Sequence, residues 1–255
     1  MTLDIVTIPC LSDNYAFLAH DTETDTTALI DIPEAAPILA ALENRGWGLD
    51  TILITHHHDD HIMGLNEVLA AHPAEVIGGK DDAHRLPALS KAVVEGDQVS
   101  IGSQTGQVID VSGHTNGHLA FYFESAKVVF TADSLMALGC GRVFEGTKPQ
   151  MWASLQKLKD LPGDTLVCSG HEYTAANAAF AATIDPENPD LLTRIAQIKQ
   201  ARSEGKPTVP SLLSLEKATN PFLRADDAKI AAHLGMTGAS PVDVFTEIRR
   251  RKDNF

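Results

Sequence analysis

The stretch Thr55-His56-His57-His58-Asp59-Asp60-His61 constrains this chain more than any other. It directly follows Thr51-Ile52-Leu53-Ile54, a short apolar run that reads as a buried strand over 51–55. Imidazole and carboxylate are suitable ligands for zinc, iron or manganese. In extended backbone alternate residues share a face, so His56 and His58 can reach one metal. The chain must then turn, and a turn lets Asp60 and His61 point at a second position close by. Ligands at i, i+2, i+4 and i+5 suit two adjacent metals better than one. His57 and Asp59 have the opposite parity and are expected to face away. The competing interpretation of the run is a polar, solvent-exposed loop.

Three later features weigh against such a loop. Gly113-His114-Thr115-Asn116-Gly117-His118 follows a strand expected over 107–111, Thr131-Ala132-Asp133 ends another, and Ser169-Gly170-His171-Glu172 ends a third. Each puts a ligand-type residue at a strand end, where the loops of one sheet edge converge. Any one alone would be weak, because a lone strand-end histidine is usually structural.

Around these points the first two thirds reads as short strands alternating with helices. Strands are expected at 5–8, 16–19, 27–31, 51–55, 107–111, 118–123, 128–131 and 165–168. Helices are expected at 33–44, opened by Pro33 and followed by Gly46, and at 152–158. After His171 the pattern turns helical, with helices expected at 173–182, 191–202, 226–234 and 241–252 and a Pro/Ser/Thr-rich loop at 205–221. At 255 residues the chain is long for one typical domain. The change of composition puts a boundary near residue 172, giving domains 1–172 and 173–255.

With these residues in view, the chain resembles the metallo-β-lactamase superfamily through His56-x-His58-x-Asp60-His61 followed by His114, Asp133 and His171. Within it, the resemblance to the glyoxalase II (hydroxyacylglutathione hydrolase) family covers nearly the whole length. It is carried by Asp13-Asn14-Tyr15, Gly139-Cys140-Gly141-Arg142, Glu145-Gly146-Thr147, His171-Glu172-Tyr173-Thr174, Pro207-Thr208-Val209-Pro210-Ser211, Asn220-Pro221-Phe222 and Arg251-Lys252-Asp253. The resemblance implies a four-layer αββα sandwich, α/β in class, followed by a small all-α C-terminal domain. It implies two divalent metal ions, with zinc expected and iron or manganese as alternatives. One would be held by His56, His58 and His114, the other by Asp60, His61 and His171, with Asp133 bridging. Asp60 and Asp133 would be the catalytic carboxylates beside a metal-bridging hydroxide that attacks S-D-lactoylglutathione. This is the second step of methylglyoxal detoxification, releasing glutathione and a 2-hydroxy acid. His118 matches a position that is not a direct ligand in the family. His20, His72, His84 and His233 lie outside all motifs and are expected to be surface or packing residues.

Charge bears on the substrate. Lys and Arg number 20 against 34 Asp and Glu, so the net charge is 20 − 34 = −14. A surface this acidic disfavours nucleic acid, while anionic glutathione needs a local basic patch. Arg249 and Lys252, three apart on an expected helix, share a face. The resemblance assigns the glutathione moiety to Arg142, Phe144, Tyr173, Arg249 and Lys252. Two of these depart from the family, which commonly has Lys where this chain has Arg142 and Tyr where it has Phe144. Arg keeps the charge with different donor geometry, and Phe144 offers no hydroxyl.

Three widely spaced cysteines, Cys10, Cys140 and Cys168, argue against a disulfide scaffold and fit a reducing cytoplasm. There is no run of about 18 apolar residues, so no membrane span is expected. A monomer or weak homo-oligomer is expected. The runner-up function is a glutathione persulfide dioxygenase using one iron on His56, His114 and Asp133.

Overall fold

In Asn14-Tyr15-Ala16-Phe17-Leu18-Ala19-His20-Asp21 every residue is buried, so this strand must be covered on both faces. A computed structural model, describing residues 3–255, shows how. The chain forms two compact units: one runs to Val111 and resumes at Asn116–Ala132, the other comprises Ser112–Thr115 and Asp133–Phe255.

The first unit contains, in order, β1 (Leu3–Cys10), β2 (Asn14–Asp21), β3 (Thr26–Ile30), α1 (Ala35–Arg45), β4 (Thr51–Leu53), α2 (Asp59–Ile62), α3 (Leu65–Ala71), β5 (Glu75–Gly79), β6 (Lys91–Val93), β7 (Gln98–Ile101), β8 (Gln104–Asp110), β9 (Leu119–Phe123) and β10 (Val128–Ala132). The strands β1 to β6 lie side by side in chain order. The first three are antiparallel and the rest parallel. Strands β7 to β10 make an antiparallel meander.

Alternation along β2 sorts its side chains. Ala16 and Leu18 join Leu29, Ile52 and Val76 in a cluster with Ile38 and Leu42 of α1 and Leu65 and Val68 of α3. Phe17 points the other way, its ring 5.8 Å from that of Phe130 on β10. Helices thus cover one face of the first sheet and the meander covers the other. Burying one such aromatic side chain contributes roughly 1.5–3 kcal/mol. Gly46 ends α1 in the left-handed region (φ 66), where its amide caps Glu43 and Leu42 carbonyls.

The second unit contains the hairpin β11 (Leu135–Met136) and β12 (Gly139–Cys140), α4 (Lys148–Lys159), β13 (Leu166–Ser169), α5 (Thr174–Ile184), α6 (Pro189–Ser203), β14 (Ser211–Leu212), α7 (Leu213–Thr219), α8 (Ala228–His233) and α9 (Pro241–Asp253). Three helix starts follow the local rules: Thr147 and Gln150 form a capping box for α4, Asn188 caps α6 ahead of Pro189, and Ser240 caps α9 ahead of Pro241. Trp152, Phe245, Phe222 and Phe180 form a chain of ring contacts through this unit.

The expected strands and helices are present within a few residues of their expected ends. The loop expected at 205–221 is a correction: it contains β14 and α7. Leu213, Glu216 and Thr219 recur at helical spacing and are fully buried, and that burial outweighs the surrounding loop-like composition. Strands β5, β6 and β7, helices α2 and α3 and the β11–β12 hairpin lie outside the expected elements. Among the described residues no helix is long and apolar enough to cross a membrane.

Candidate metal centre

Strand β4 ends at Leu53, and Thr55 begins the turn that carries the His-rich run. The Asp31 carboxylate organises that turn. Its Oδ1 accepts the Thr55 N–H at 2.9 Å, and its Oδ2 accepts both the Thr55 hydroxyl and His61 Nδ1 at 2.8 Å. The Thr55 hydroxyl gives its one hydrogen to Asp31, so it must accept from His56 Nδ1, 3.0 Å away. His56 and His61 are therefore both protonated at Nδ1, and their metal-binding lone pairs sit on Nε2. Both rings are fully buried. His56 Nε2 lies 3.2 Å from His58 Nδ1, and His61 Nε2 lies 3.9 Å from Asp60 Oδ2. Asn14 on β2 donates to Asp60 Oδ2 and to the Asp60 carbonyl, each at 3.0 Å.

His57 turns aside, as its parity requires. Its Nδ1 donates to the buried Asp82 at 2.9 Å, and Arg85 joins Asp82 to the Asn116 carbonyl. Asp59 is exposed at the start of α2. His118 is fully buried, and its ring lies flat on that of His56 with centroids 4.5 Å apart. Of the remaining histidines, His20 is buried against Trp47 and bonded to Thr27, while His84 and His233 are exposed.

The second unit supplies a matching set. His114 Nδ1 donates to the Arg142 carbonyl at 2.7 Å, which again leaves the Nε2 lone pair outward. That Nε2 is 3.5 Å from Asp133 Oδ2, and His171 Nε2 is 3.3 Å from the same oxygen. One carboxylate oxygen thus faces two imidazole nitrogens. His114, Asp133 and His171 are all at most 6 % exposed. Gly141 makes the close approach feasible: a Cβ there would lie 1.9 Å from the Asp133 carbonyl oxygen and 2.9 Å from His114 Nδ1. Imidazoles held with Nε2 free, together with carboxylates, are donors that suit borderline divalent ions.

The five expected substrate residues also lie in the second unit. Tyr173, 41 % exposed, stacks on His171 at 4.6 Å and 7°. Phe144, 61 % exposed, meets the His114 ring edge-on at 5.3 Å and carries the Arg142 guanidinium 5.9 Å above it. Arg142 Nε lies 3.6 Å from Asp253 Oδ1. Lys252 is half-buried with its ammonium 5.2 Å from both the Phe180 and Phe255 rings, and burial, reinforced by Arg249, pulls its pKa below the usual lysine range. Arg249 is only 4 % exposed: it donates to the Cys140 carbonyl and to Asp253 and lies over Phe222.

All three cysteines are free and buried. Burial pushes Cys10 and Cys140 up to about 11 and Cys168 higher still, so none offers a thiolate nucleophile at neutral pH. Sequence reasoning missed Asp31 and Asp82. An aspartate between Ile30 and Ile32 at a strand end was a usable signal for the first, because a buried carboxylate needs partners. For the second the sequence carries no comparable sign.

Comparison with known proteins bears on what this arrangement serves. Residues 21–171 match the metallo-beta-lactamase superfamily model, and residues 172–255 match the model of the hydroxyacylglutathione hydrolase C-terminus. The chain is 62 % identical to a hydroxyacylglutathione hydrolase of Ruegeria pomeroyi over 255 residues, the whole of both chains. It is 63 % identical to one from a Jannaschia species over 251 residues, 98 % of each. Among solved structures it resembles the BLEG-1 B3 metallo-beta-lactamase (TM-score 0.67, 19 % identity, 86 % of this chain and 99 % of that one). It also resembles ETHE1 from Myxococcus xanthus (TM-score 0.60, 26 % identity, 91 % and 100 %). The architecture is the four-layer αββα metallo-β-lactamase fold with a helical C-terminal segment.

Proposed function

Because the chain belongs to the hydroxyacylglutathione hydrolase family of the metallo-β-lactamase superfamily, we propose that it hydrolyses 2-hydroxyacylglutathione thioesters, S-D-lactoylglutathione first among them, to glutathione and a 2-hydroxy acid. The observation that carries this reading is the end-to-end similarity to such hydrolases, including the helical residues 172–255. We assign His56, His58 and His114 to one divalent metal, Asp60, His61 and His171 to a second, and Asp133 to both, with zinc as the expected ion. Two such ions supply a water ionised near neutral pH and a Lewis acid for the carbonyl.

The chain's own residues do the rest. Asp31, Thr55 and the Arg142 carbonyl hold three imidazoles in the tautomer that presents Nε2. Asn14 steadies Asp60. Arg142 and Lys252 attract the glutathione carboxylates, and Tyr173 and Phe144 offer exposed ring faces beside His171 and His114. Arg249 contributes chiefly by holding Asp253 and the Cys140 carbonyl, since its burial leaves little surface for a ligand. The departing glutathione thiolate needs no proton, as a thiol is acidic enough to leave as the anion near neutrality.

The test is thioester hydrolysis on S-D-lactoylglutathione with metal content measured on the same sample. Turnover with about two equivalents of bound metal is the result expected of a two-ion site. Oxygen consumption with glutathione persulfide, in the absence of thioester hydrolysis, would overturn the reading in favour of the dioxygenase.

A further inference from the structure

Asn220-Pro221-Phe222 and the segment ending in Ser211 belong to no part of the machinery described so far, yet they surround a buried ionic hub. Glu216 is fully buried on α7 and Arg194 on α6 is 3 % exposed. Glu216 Oε1 accepts from Arg194 Nη2 and, at 2.6 Å, from the Ser211 hydroxyl. Its other oxygen accepts the Leu138 N–H at 2.9 Å and Asn220 Nδ2 at 3.2 Å. Asn220 Nδ2 also donates to the Met136 and Gly139 carbonyls at 3.1 and 2.9 Å, and Asn177 donates to the Ala137 carbonyl at 3.1 Å.

The bonds to Leu138, Met136, Gly139 and Ala137 grip the tip of the β11–β12 hairpin, while Arg194 and Ser211 hold Glu216 from the other side. The tip needs gripping, because Leu138 is a non-glycine residue at φ 55, a region that disfavours side chains. The two legs of the hairpin lead straight to the metal donors. Asp133 precedes it by two residues, and the pairing Leu135 with Cys140 is extended by the Gly141 N–H donating to the Ser134 carbonyl at 3.1 Å. The next carbonyl, that of Arg142, is the acceptor that sets the His114 tautomer.

We infer that Glu216, with Arg194 and Asn220, is a positioning residue: it holds the hairpin so that Asp133 Oδ2 and His114 Nε2 stay aimed at the metal position. This rests on Asp133 and His114 being metal donors. Any carboxylate in this place would stabilise a fold. What gives this one a bearing on function is that the hydrogen bonds run through one short ladder into both donors. Burying a carboxylate and a guanidinium is costly in itself and is repaid only when all their hydrogen-bonding positions are filled.

Glu216→Gln tests it. A glutamine carbonyl offers two lone pairs where four donors now converge. The Arg194 charge draws that oxygen to its side and turns the NH₂ group against the Leu138 N–H, so the damage falls on the hairpin. Three readouts are compared with wild type and with Ser211→Ala, which removes a donor on the side away from the hairpin. In the metal-free protein, amide exchange of the 134–142 segment is expected to quicken in Glu216→Gln alone. In the loaded protein, metal affinity and kcat are expected to fall about 10–100-fold, as for other losses of a partner behind a ligand, with KM little changed. Ser211→Ala is expected to lower the melting temperature and leave exchange of this segment, metal retention and kcat as they are.

A folded Glu216→Gln protein with wild-type exchange, metal retention and kcat would overturn the inference. So would a Ser211→Ala protein that loses kcat and metal in proportion to its stability, because the effect would then be general. If Glu216→Gln fails to fold, Asn220→Ser, which drops the grip on the Met136 and Gly139 carbonyls, is judged by the same readouts. Asp133→Ala separates the premises: full metal retention there sinks the ligand assignment itself, whereas metal loss there with retention in Glu216→Gln sinks only the positioning role.

Discussion

A histidine gives a metal whichever nitrogen its other partner leaves with a lone pair, so the residues behind the proposed ligands bear on the site as much as the ligands would. Asp31 is the clearest case, since one carboxylate sets both His61 and, through Thr55, His56. Asp31 sits at φ 57, a conformation asparagine tolerates well. Asp31→Asn should therefore keep the fold and leave one acceptor oxygen where three donors, His61 Nδ1 among them, now share two. Metal affinity is expected to fall about 10–100-fold with little change in melting temperature, as read by titration of the metal-free protein. A large drop in melting temperature with unchanged affinity would show that Asp31 only braces the strand end. Asp133→Ala goes further, because its Oδ2 faces both His114 and His171. Activity should vanish and bound metal should fall at both positions. Two full equivalents retained by elemental analysis would refute the bridging assignment.

Among the secondary elements, α9 carries one prediction about stability and one about the proposed binding role. Its last turn carries Arg250, Arg251 and Lys252, where cations also suit the helix dipole, and Arg249 stands just before it. Burial separates their roles. Lys252→Ala should raise KM with a smaller effect on kcat, since carboxylates remote from the scissile carbonyl are bound alike in ground and transition states. A charged hydrogen bond is worth on the order of 1.5–3 kcal/mol, or roughly a tenfold to hundredfold in affinity. The defect should shrink with added salt, because screening already weakens the wild-type attraction. Arg249→Ala should instead lower the melting temperature clearly, leaving Asp253 and the Cys140 carbonyl without their donor. An unchanged KM in folded Lys252→Ala would end its role in glutathione binding. Wild-type stability in Arg249→Ala would show that its buried bonds are dispensable.

For the molecule as a whole, acid stability has a local handle in Asp21. Its carboxylate accepts the Ser103 N–H and hydroxyl at 2.7 Å each, tying the end of β2 to the turn between β7 and β8. These bonds, with those from Glu23 N–H and Thr24, pull its pKa from 3.8 down to about 2. A carboxyl whose folded pKa is depressed contributes stability that is fully present above its unfolded value and is lost as pH falls through the folded one. Stability should therefore decline between about pH 4 and pH 2, in part because Asp21 takes up its proton. Asp21→Asn should be less stable at neutral pH and flatter across that window, measured as urea midpoints at several pH values. An identical slope in the two proteins would exclude Asp21 as a contributor.

Much of this protein can be read from its sequence, because period and spacing are local properties. The strand before His56, the parity that turns His57 toward Asp82, and the Pro-started helices α6 and α9 follow from neighbours in the chain. So do the ligand types at four strand ends, and the family resemblance extends that reading to roles. Partners distant in sequence were beyond its reach. Nothing near His61 announces Asp31, 30 residues away, and nothing near Leu138 announces Glu216, 78 residues away. The helix α7 arises inside a loop-like composition because Leu213, Glu216 and Thr219 are buried together. Arg249, which on sequence reads as a basic surface residue, is drawn inside by Cys140, Phe222 and Asp253. The cost of burying a charge or an unbonded polar group is met only by the particular atoms that folding brings beside it. The local pattern therefore determined which ligand-type residues stand at the strand ends, and the tertiary structure alone decided which groups hold them in place.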